Sequence, residues 1–466
     1  MATALDRHLA LVGFMGAGKT TLGWEVAGRL GREFVDLDQV IVERAGQSIP
    51  EIFQEQGEGA FRILEQETAL TKFLLGKPAV VALGGGAVMN AGIRRALRDR
   101  AFTVYVEVEP DTAWQRARGG GRPLAQDVEA FRKLYAEREP VYREVAEATA
   151  RDADEVVLGA AGVHVGIGSL EQLGGLVPGD GPVALVADRH VAGIHGMDAQ
   201  LALGSRLAST HEVHGKTAAD LERLWRALSI DRSGSLVALG GGTTTDVAGF
   251  AAATYMRGVD WVAVPTTLVG QVDAAIGGKT AVDLPEAKNL VGAFHWPART
   301  IVDPALLATL PEAERLNGLA EVVKTGLLAG DALWELPDED LVRRCASFKS
   351  ALCLRDPHDR GPRHALNLGH TFGHALEAAS GYELAHGQAV ALGLLAALRL
   401  SGRDTAAVEE VLAPQPVRVD RDRAWEALIR DKKGRLRIVL LGDSGAYEEE
   451  LPEADVRAAL GELIAG

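Results

Sequence analysis

Cysteine is scarce in this chain, with only Cys345 and Cys353 among its 466 residues. Two cysteines cannot build a disulfide framework, so a reducing compartment fits best. The sequence also lacks a basic start followed by a long apolar run and a cleavage site, and its longest apolar stretches, such as 389–398, are too short to cross a bilayer. We therefore expect a cytoplasmic protein without a membrane partner.

Positive charge is also in deficit. The chain has 49 Lys and Arg residues against 64 Asp and Glu residues, which gives a net charge of −15. Nucleic acids and anionic membranes reward positive surfaces, so we expect neither as a partner. Anionic small molecules are not excluded, because the fields of exposed charges fade over roughly 8 Å at physiological salt and a few buried cations can dominate one pocket.

Glycine, by contrast, is abundant. The 54 glycines, many in short runs, suggest loops in which a ligand approaches the backbone. The length exceeds what one hydrophobic core can organise, so we expect two or three domains. Up to about residue 155, apolar strands at 8–14, 34–38, 79–83 and 103–108 alternate with helical segments such as 19–30. This alternation predicts a parallel sheet with helices on both faces.

The alternation lapses around 151–162 and then resumes, with predicted strands near 183–187, 236–239 and 261–264. From about Pro311 onward, helical periods dominate the sequence. We therefore predict an α/β fold class with three domains, namely a parallel-sheet domain at 1–157, a Rossmann-like α/β domain at 158–310 and a mostly α-helical domain at 311–466.

A nucleotide-binding motif follows the first predicted strand. Gly13-Phe-Met-Gly-Ala-Gly18-Lys19-Thr20 fits G-x4-G-K-[ST] between a strand and a helix. Backbone N–H groups and the helix start favour phosphate there, Lys19 reaches the β- and γ-phosphates, and the Thr20 hydroxyl ligates Mg²⁺. The motif predicts a P-loop that binds a nucleotide with Mg²⁺. The residues expected to contact the nucleotide are Gly16, Ala17, Gly18, Lys19, Thr20 and Thr21.

Candidate acceptor residues come later in the same segment. Asp36-Leu-Asp38 ends the second predicted strand, where doubly wound sheets bind ligands, and Gly84-Gly85-Gly86 ends another strand. Arg62 and Arg138 accompany them. Taken singly, either arginine is compatible with a solvated helix charge and Asp36 with a helix cap.

Together and in this order, these motifs closely resemble shikimate kinase over nearly all of residues 5–155. The resemblance implies ATP-dependent phosphorylation of the 3-hydroxyl of shikimate. It implies that Asp38 takes a ring hydroxyl and accepts its proton, and that Arg62 and Arg138 clamp the carboxylate. The backbone of the pocket is implied to consist of Gly84, Gly85 and Gly86. Arg122 is implied to close over ATP from a lid, and Asp36 to support the Mg²⁺ site with Thr20.

A second ligand-binding pattern begins at Gly240-Gly241-Gly242-Thr-Thr-Thr-Asp246, which follows a predicted strand and opens a helix. Three glycines there let a pyrophosphate lie against the backbone at a helix N-terminus. Small and charged residues are dense from Pro265 to Phe294, which packing alone does not explain. This region is therefore a candidate dinucleotide site.

A metal signal lies in the helical part. Glu321 and Lys324 share one helix face, His370 and His374 stand at i and i+4, and His386 follows twelve residues later. Such a set is typical of a catalytic Zn²⁺ site, which keeps one position open for substrate. Spacing leaves open which three of Glu321, His370, His374 and His386 bind the metal.

From about residue 163 to 466 the chain resembles 3-dehydroquinate synthase, on the runs GGKTA, AEVVK and LNLGHTFGHA. The resemblance implies that Glu321, His370 and His386 bind Zn²⁺ or Co²⁺ and that His374 acts beside them. The residues implied to hold the substrate are Asp273, Lys279, Lys288, Lys324, Lys349, Arg363, Asn367 and one of Lys432 or Lys433, with Arg257 reaching the phosphate from the partner subunit. Those implied to contact NAD⁺ are Asp188, Gly242, Thr243, Thr244, Thr245, Asp246, Thr266 and Thr267, and Lys279 and Lys288 are assigned to the cofactor as well.

The implied reaction converts 3-deoxy-D-arabino-heptulosonate 7-phosphate to 3-dehydroquinate plus phosphate, with a hydride lent to NAD⁺ and returned. For this half the alternatives are another sugar-phosphate cyclase and a metal-dependent polyol dehydrogenase, which would release NADH. For the first half the alternative is another small-molecule kinase. A nucleotide- or NAD-sensing scaffold is the non-enzyme alternative. We expect a homodimer through the synthase half.

Overall fold

The computed structural model describes residues 3–118, 126–285, 287–431 and 435–465. The chain divides into two compact units, Met1–Gly162 and Val163–Gly466. The boundary predicted after residue 157 falls inside the helix Ala153–Ala160, which packs on strands of the first unit. The division into three domains stays a prediction. Among the described residues, no helix combines the length and the apolar character needed to cross a membrane.

The first unit is built on a five-stranded parallel sheet. Its strands are β1 (His8–Val12), β2 (Phe34–Asp36), β3 (Val80–Ala82), β4 (Ala101–Val106) and β5 (Ala148–Ala150), in the order β2-β3-β1-β4-β5. Its helices are α1 (Lys19–Leu30), α2 (Leu37–Ala45), α3 (Ile49–Leu75), α4 (Ala91–Arg100), α5 (Pro110–Ala117), α6 (Val128–Val145) and α7 (Ala153–Ala160). The predicted alternation of strands and helices is confirmed.

Burial explains the central position of β1, because every residue of this strand is buried. Two differences from the sequence-based assignment matter for the site. The second strand ends at Asp36, which caps α2, so that Asp38 lies in the first turn of a helix and not on a strand. The predicted lapse around 151–162 contains α7, whose start is capped by the Asp152 side chain.

The second unit is built on a six-stranded parallel sheet. Its strands are β6 (Val163–Val165), β7 (Val183–Asp188), β8 (Leu207–Val213), β9 (Ser235–Gly240), β10 (Asp260–Pro265) and β13 (Arg299–Val302), in the order β6-β13-β10-β9-β7-β8. The helices of this part are α8 (Leu173–Leu176), α9 (Arg189–Leu203), α10 (Ala218–Ala227) and α11 (Gly242–Thr254). An antiparallel hairpin, β11 (Lys279–Leu284) and β12 (Ala287–Phe294), precedes β13. This layout confirms the Rossmann-like α/β prediction.

The chain after residue 311 is mostly helical, as predicted. Its helices are α12 (Glu312–Ala329), α13 (Asp338–Arg355), α14 (His370–Ala379), α15 (His386–Leu400), α16 (Ala406–Leu412), α17 (Arg421–Asp431) and α18 (Glu453–Glu462). One element of this part was not predicted from the sequence, namely the antiparallel hairpin of β14 (Arg437–Gly442) and β15 (Gly445–Glu450). Ile438 and Leu440 on β14 pack into the same apolar cluster as Phe372 and Leu376 of α14.

Close backbone approach joins α14 to α15. A Cβ at Gly393 would overlap the carbonyl oxygen of Gly369, and a Cβ at Gly373 would lie 3.0 Å from the carbonyl oxygen of Ala389. Gly369 itself is left-handed (φ 78°) and caps the start of α14. Glycine is therefore required where these two helices cross.

Replacing Gly393 with alanine should lower the free energy of unfolding by about 1–3 kcal/mol, because the added methyl group overpacks a backbone contact. Urea unfolding followed by circular dichroism measures the change in the transition of the second unit. Gly461→Ala is the matched control, since a Cβ at Gly461 on α18 meets open space. That variant should be neutral or more stable by up to about 1 kcal/mol. Equal losses in both variants would contradict the role of the helix crossing.

Candidate active sites

The P-loop forms a backbone cradle at the start of α1. Gly16 (φ 84°) and Gly18 (φ 91°) are left-handed, and a Cβ at Gly16 would overlap the Ala113 carbonyl. Lys19 is the first residue of α1, and its Nζ donates to the carbonyl oxygens of Gly13 at 2.8 Å and Phe14 at 3.0 Å. The lysine is thus folded back along the loop beside the N–H groups that a phosphate would meet.

A hydroxyl and a carboxylate meet beside this cradle. The Thr20 hydroxyl donates to Asp36 Oδ2 at 2.7 Å, and Asp36 Oδ1 accepts the Asp38 N–H at 3.0 Å. Oxygen donors of this kind suit Mg²⁺, which prefers hard ligands and keeps part of its water shell. The structure therefore brings together the two residues predicted to support Mg²⁺.

The glycine turn after β3 gathers the predicted acceptor residues. A Cβ at Gly84 would lie 2.7 Å from Asp38 Oδ1, and one at Gly86 would lie 2.5 Å from Arg62 Nη1. The Arg138 guanidinium donates to the Gly85 carbonyl at 3.3 Å. One carboxylate and two guanidinium groups therefore face a single glycine turn, which is what recognition of a hydroxylated carboxylic acid requires.

Glu65 joins this pocket without having been predicted. It is 2% exposed, its Oε2 accepts from Arg62 at 2.7 Å, and its Oε1 has no hydrogen-bond partner within the described residues. Burial raises the pKa of Glu65 above its ordinary value, against the opposing effect of Arg62. The i, i+3 spacing to Arg62 on α3 was the signal that could have found it. Arg122, the predicted lid residue, lies outside the described residues.

In the second unit, three predicted metal ligands converge. Glu321 lies on α12, while His370 and His386 are the first residues of α14 and α15. Glu321 Oε1 is 3.2 Å from both His370 Nε2 and His386 Nε2, and the three ligand atoms lie within 4.8 Å of one another. His370 Nδ1 faces the Leu368 carbonyl at 3.1 Å, which directs Nε2 into the cluster.

The donor set fits a divalent metal with one open position. Two imidazoles and one carboxylate are typical of catalytic zinc sites, and imidazole disfavours Mg²⁺ and Ca²⁺. His374 is not part of the converging set; its ring packs edge-on against His370 with centroids 5.4 Å apart. Among the four candidates that spacing left open, Glu321, His370 and His386 are the three whose ligand atoms converge, and their role as metal ligands stays a prediction.

Buried cations surround this cluster. Lys324, on the same helix, pairs with Glu321, and its Nζ is 4.0 Å from Asp273 Oδ1. Although burial opposes the charge, Lys324 and His370 hold the pKa of Glu321 well below its usual range. Lys349 Nζ is 2.6 Å from the same Asp273 oxygen. Two ammonium groups thus share one carboxylate next to the metal ligands.

The remaining predicted substrate residues lie on neighbouring segments. The buried Arg363 guanidinium donates to the Gly277 carbonyl at 3.1 Å, and Lys279, half-exposed on β11, pairs with Asp359. Asn367 ends a 3-10 turn three residues before His370. Arg257 is exposed after α11, has a left-handed backbone (φ 67°) and is not among the residues that line the cleft described next. Lys432 and Lys433 lie outside the described residues.

A cleft of about 1220 Å³ adjoins the cluster and contains most residues predicted to bind NAD⁺. Thr245 is buried and does not line it, and neither does Lys279. Asp188 caps α9 by accepting the Val191 N–H at 3.0 Å. The predicted residues that do line the cleft are Asp188, Gly242, Thr243, Thr244, Asp246, Thr266, Thr267, Lys288, His374 and His386.

Lys216 and Glu377 also line the cleft, were not predicted, and form ion pairs with predicted residues. Lys216 Nζ is 2.8 Å from Asp246 Oδ2, so this lysine neutralises the acid at the start of α11. Glu377 is 6% exposed, and its Oε1 is 3.6 Å from His386 Nδ1 and 3.8 Å from Lys288 Nζ. The i, i+3 spacing of Glu377 after His374 was available in the sequence, but nothing local indicated its contact with His386.

Glu377→Gln should weaken Zn²⁺ or Co²⁺ binding by about 10- to 100-fold, since a carboxylate behind a ligating imidazole fixes its orientation and basicity. Competition with a chromophoric chelator measures the affinity without reference to activity. Glu383→Gln is the control, because Glu383 is exposed and precedes His386 by three residues. Unchanged affinity in Glu377→Gln would show that the 3.6 Å contact does not support the metal ligand.

Comparison with known proteins covers both units. The family model for shikimate kinase matches residues 15–160, and those for the N-terminal and C-terminal parts of 3-dehydroquinate synthase match 208–317 and 318–433. The bifunctional shikimate kinase/3-dehydroquinate synthase of Thermotoga maritima is 32% identical, over 95% of this chain and 97% of that relative. The 3-dehydroquinate synthase of Bordetella pertussis is 38% identical, over 65% of this chain and 96% of that relative.

Among solved structures, 2-deoxy-scyllo-inosose synthase complexed with carbaglucose-6-phosphate, NAD⁺ and Co²⁺ is similar to the second unit. It matches with a TM-score of 0.59 at 25% identity, over 64% of this chain and 96% of that chain. With matches to both halves and to a relative aligned over almost its whole length, the chain belongs to the family of bifunctional shikimate kinase/3-dehydroquinate synthases.

Proposed function

We propose that this chain is a bifunctional enzyme of aromatic biosynthesis, which phosphorylates the 3-hydroxyl of shikimate and converts 3-deoxy-D-arabino-heptulosonate 7-phosphate to 3-dehydroquinate plus phosphate. The observation that carries the proposal is the meeting of Glu321, His370 and His386 beside a cleft lined by glycine and threonine motifs, in a chain that also has a complete P-loop. Family membership supports both activities. The identity is higher to 3-dehydroquinate synthase than to the inosose synthase, which favours the heptulosonate substrate.

In the kinase unit, ATP with Mg²⁺ would lie on the P-loop, held by the N–H groups of Gly16–Thr21 and by Lys19. Thr20 and Asp36 would hold the metal ion. Asp38 would accept the proton of the attacking hydroxyl, while Arg62 and Arg138 fix the shikimate carboxylate. Positioning and charge stabilisation account for most of the catalysis in phosphoryl transfer, so these contacts suffice for the reaction.

In the synthase unit, Glu321, His370 and His386 would hold Zn²⁺ or Co²⁺. That ion, with NAD⁺, supplies the polarisation of a substrate hydroxyl and a reversible hydride acceptor. Lys324 and Lys349 would present fixed cations to the acidic groups of the substrate, since Asp273 holds both ammonium groups in place. Arg363 and Asn367 would orient the same substrate from the neighbouring turn. Positive charge around the phosphate favours its departure.

The dinucleotide would occupy the cleft at the carboxyl ends of β7, β9 and β10. Gly242–Asp246 open α11, whose N–H groups and dipole favour a pyrophosphate, while Thr266, Thr267 and Asp188 would contact the rest of the cofactor. Lys288, which lines the cleft, would serve both cofactor and substrate, while Lys279 would serve the substrate. The proposal also includes a homodimer in which Arg257 reaches the partner's site, and the exposure of Arg257 supports this arrangement. It further includes a cytoplasmic location.

The direct test supplies the purified chain with shikimate, ATP and Mg²⁺, and in parallel with the heptulosonate phosphate, NAD⁺ and Zn²⁺ or Co²⁺. The expected products are ADP and shikimate 3-phosphate in the first assay, and dehydroquinate and free phosphate in the second. The absorbance at 340 nm should show no net formation of NADH in the second assay. Net NADH would instead indicate a polyol dehydrogenase. Turnover of a different sugar phosphate alone would indicate another cyclase, and absence of any turnover would favour a sensing scaffold.

The two activities should be separable by single substitutions. Lys19→Ala should lower kinase turnover by about 10²–10³-fold, as expected when one group that stabilises transition-state charge is lost. His370→Ala should abolish metal binding and synthase turnover. In each variant the other activity, measured on the same preparation, should stay within about twofold. If kinase turnover collapsed in His370→Ala, the assignment of the activities to separate units would be wrong.

Arg62→Ala should raise the KM for shikimate by about 10- to 100-fold, equivalent to the 1.5–3 kcal/mol of a hydrogen bond to a charged group. The KM for ATP should change much less, because the P-loop is untouched. Arg44→Ala serves as control, since Arg44 forms an exposed ion pair with Glu67 at 3.1 Å. Equal changes in both KM values would assign Arg62 to general stability.

A further inference from the structure

The segment between α13 and α14 is tied into a compact turn. The Asp356 carboxylate accepts the N–H groups of Arg360 at 2.9 Å, Gly361 at 2.7 Å and Arg363 at 3.3 Å. Within this turn Asp359 has a left-handed backbone (φ 56°), an uncommon conformation for a residue with a side chain. Its carboxylate forms the ion pair with Lys279 of β11. The proposed substrate lysine is therefore anchored by a residue whose left-handed backbone depends on the turn around it.

His364 connects this turn to the C-terminal hairpin. Its Nε2 lies 3.0 Å from the Asp359 carbonyl oxygen, and its Nδ1 lies 3.4 Å from Glu448 Oε1 on β15. Both ring nitrogens face acceptors, and only the protonated imidazole donates to both at once. Partial burial opposes protonation, yet the Asp359 carbonyl and the Glu448 carboxylate raise the pKa of His364 above its ordinary value. A chain of contacts thus runs from Glu448 through His364 and Asp359 to Lys279.

We propose that His364, anchored by Glu448, is a positioning residue for the synthase site, which holds Asp359 in its left-handed conformation so that Lys279 points toward the substrate. The inference rests on the proposed function in assigning the acidic substrate to Lys279. It gives the hairpin of β14 and β15 a role, although no residue of that hairpin lines the cleft within the described part of the chain.

The physical basis is preorganisation. Lys279 is a long, half-exposed side chain on a two-stranded hairpin, so its ammonium group has wide freedom unless a partner restricts it. Asp359 restricts it, and the His364 contact to the Asp359 carbonyl holds the backbone from which that carboxylate extends. Loss of the His364 imidazole or of the Glu448 carboxylate removes this restraint on the Asp359 backbone. The entropy cost of ordering Lys279 then falls on substrate binding.

The experiment compares His364→Ala, His364→Gln and Glu448→Gln with the matched control Glu449→Gln, whose exposed side chain neighbours Glu448 on the same strand. The KM for heptulosonate phosphate should rise about tenfold in His364→Ala and Glu448→Gln, as for loss of a charge-assisted hydrogen bond, with kcat and the KM for NAD⁺ nearly unchanged. His364→Gln keeps a donor for the Asp359 carbonyl and should recover most of the loss. Glu449→Gln should match the parent chain.

A second readout needs no turnover. Acylation of lysines by a water-soluble acetylating reagent, followed by peptide mass spectrometry, should modify Lys279 about two- to fivefold faster in His364→Ala and Glu448→Gln, the factor expected for release of a surface ion pair. The exposed Lys133 of the kinase unit is the internal reference. Unchanged Lys279 labelling, a fall in KM, or equal effects in Glu449→Gln would each overturn the inference. If the parent chain cyclised no substrate, the proposed function would fail while the labelling rates still decided this inference.

Discussion

The burial of one carboxylate sets the layout of the synthase unit. Glu321 is 1% exposed, and removing an ion from water costs several kcal/mol even after relaxation, so it needs partners on every open side. Lys324 comes from the same helix, but His370 and His386 must be brought from the first residues of two others. Three helices are therefore positioned around one charge, and glycines at the crossing of α14 and α15 permit the close approach. The same arrangement leaves both imidazoles and the carboxylate directed at one point, which is the geometry a divalent metal requires.

The way this acidic protein concentrates positive charge follows the same rule. Four cations of the two sites have a carboxylate partner that orients them: Arg62 has Glu65, Lys349 has Asp273, Lys279 has Asp359 and Lys216 has Asp246. The carboxylate restricts the side chain before the ligand arrives, which lowers the entropy lost on binding. The acid also competes with the anionic ligand.

The sequence predicted the parts of this protein that depend on local patterns. The P-loop, the helix Lys19–Leu30 and the alternating strands follow from glycine spacing and short-range periodicity, and the structure has them at nearly the predicted bounds. Glu321, His370 and His386 were predicted from a resemblance, since spacing alone admitted His374 equally. Glu377 and Asp359 escaped notice because their partners are distant in sequence, and an acid that orients a cation has no local signature. The β14–β15 hairpin was missed because strong helical periods surround it.

The hexapeptide VALGGG, which occurs at 81–86 and again at 237–242, shows how little the local sequence decides about a ligand site. In both places the valine and alanine continue a buried parallel strand, and the glycines end it. After Gly86 the chain makes a short 3-10 turn, so the glycines remain part of a turn and lie close to the side chains of Asp38 and Arg62. After Gly241 the threonines enter the thirteen-residue helix α11, so the same glycines become a helix start and favour phosphate. The strand edge supplies an accessible backbone in each case, and the residues that follow select the chemistry. A glycine run at a strand end is therefore evidence for a ligand, whereas its identity must be read from the side chains that the rest of the fold brings to it.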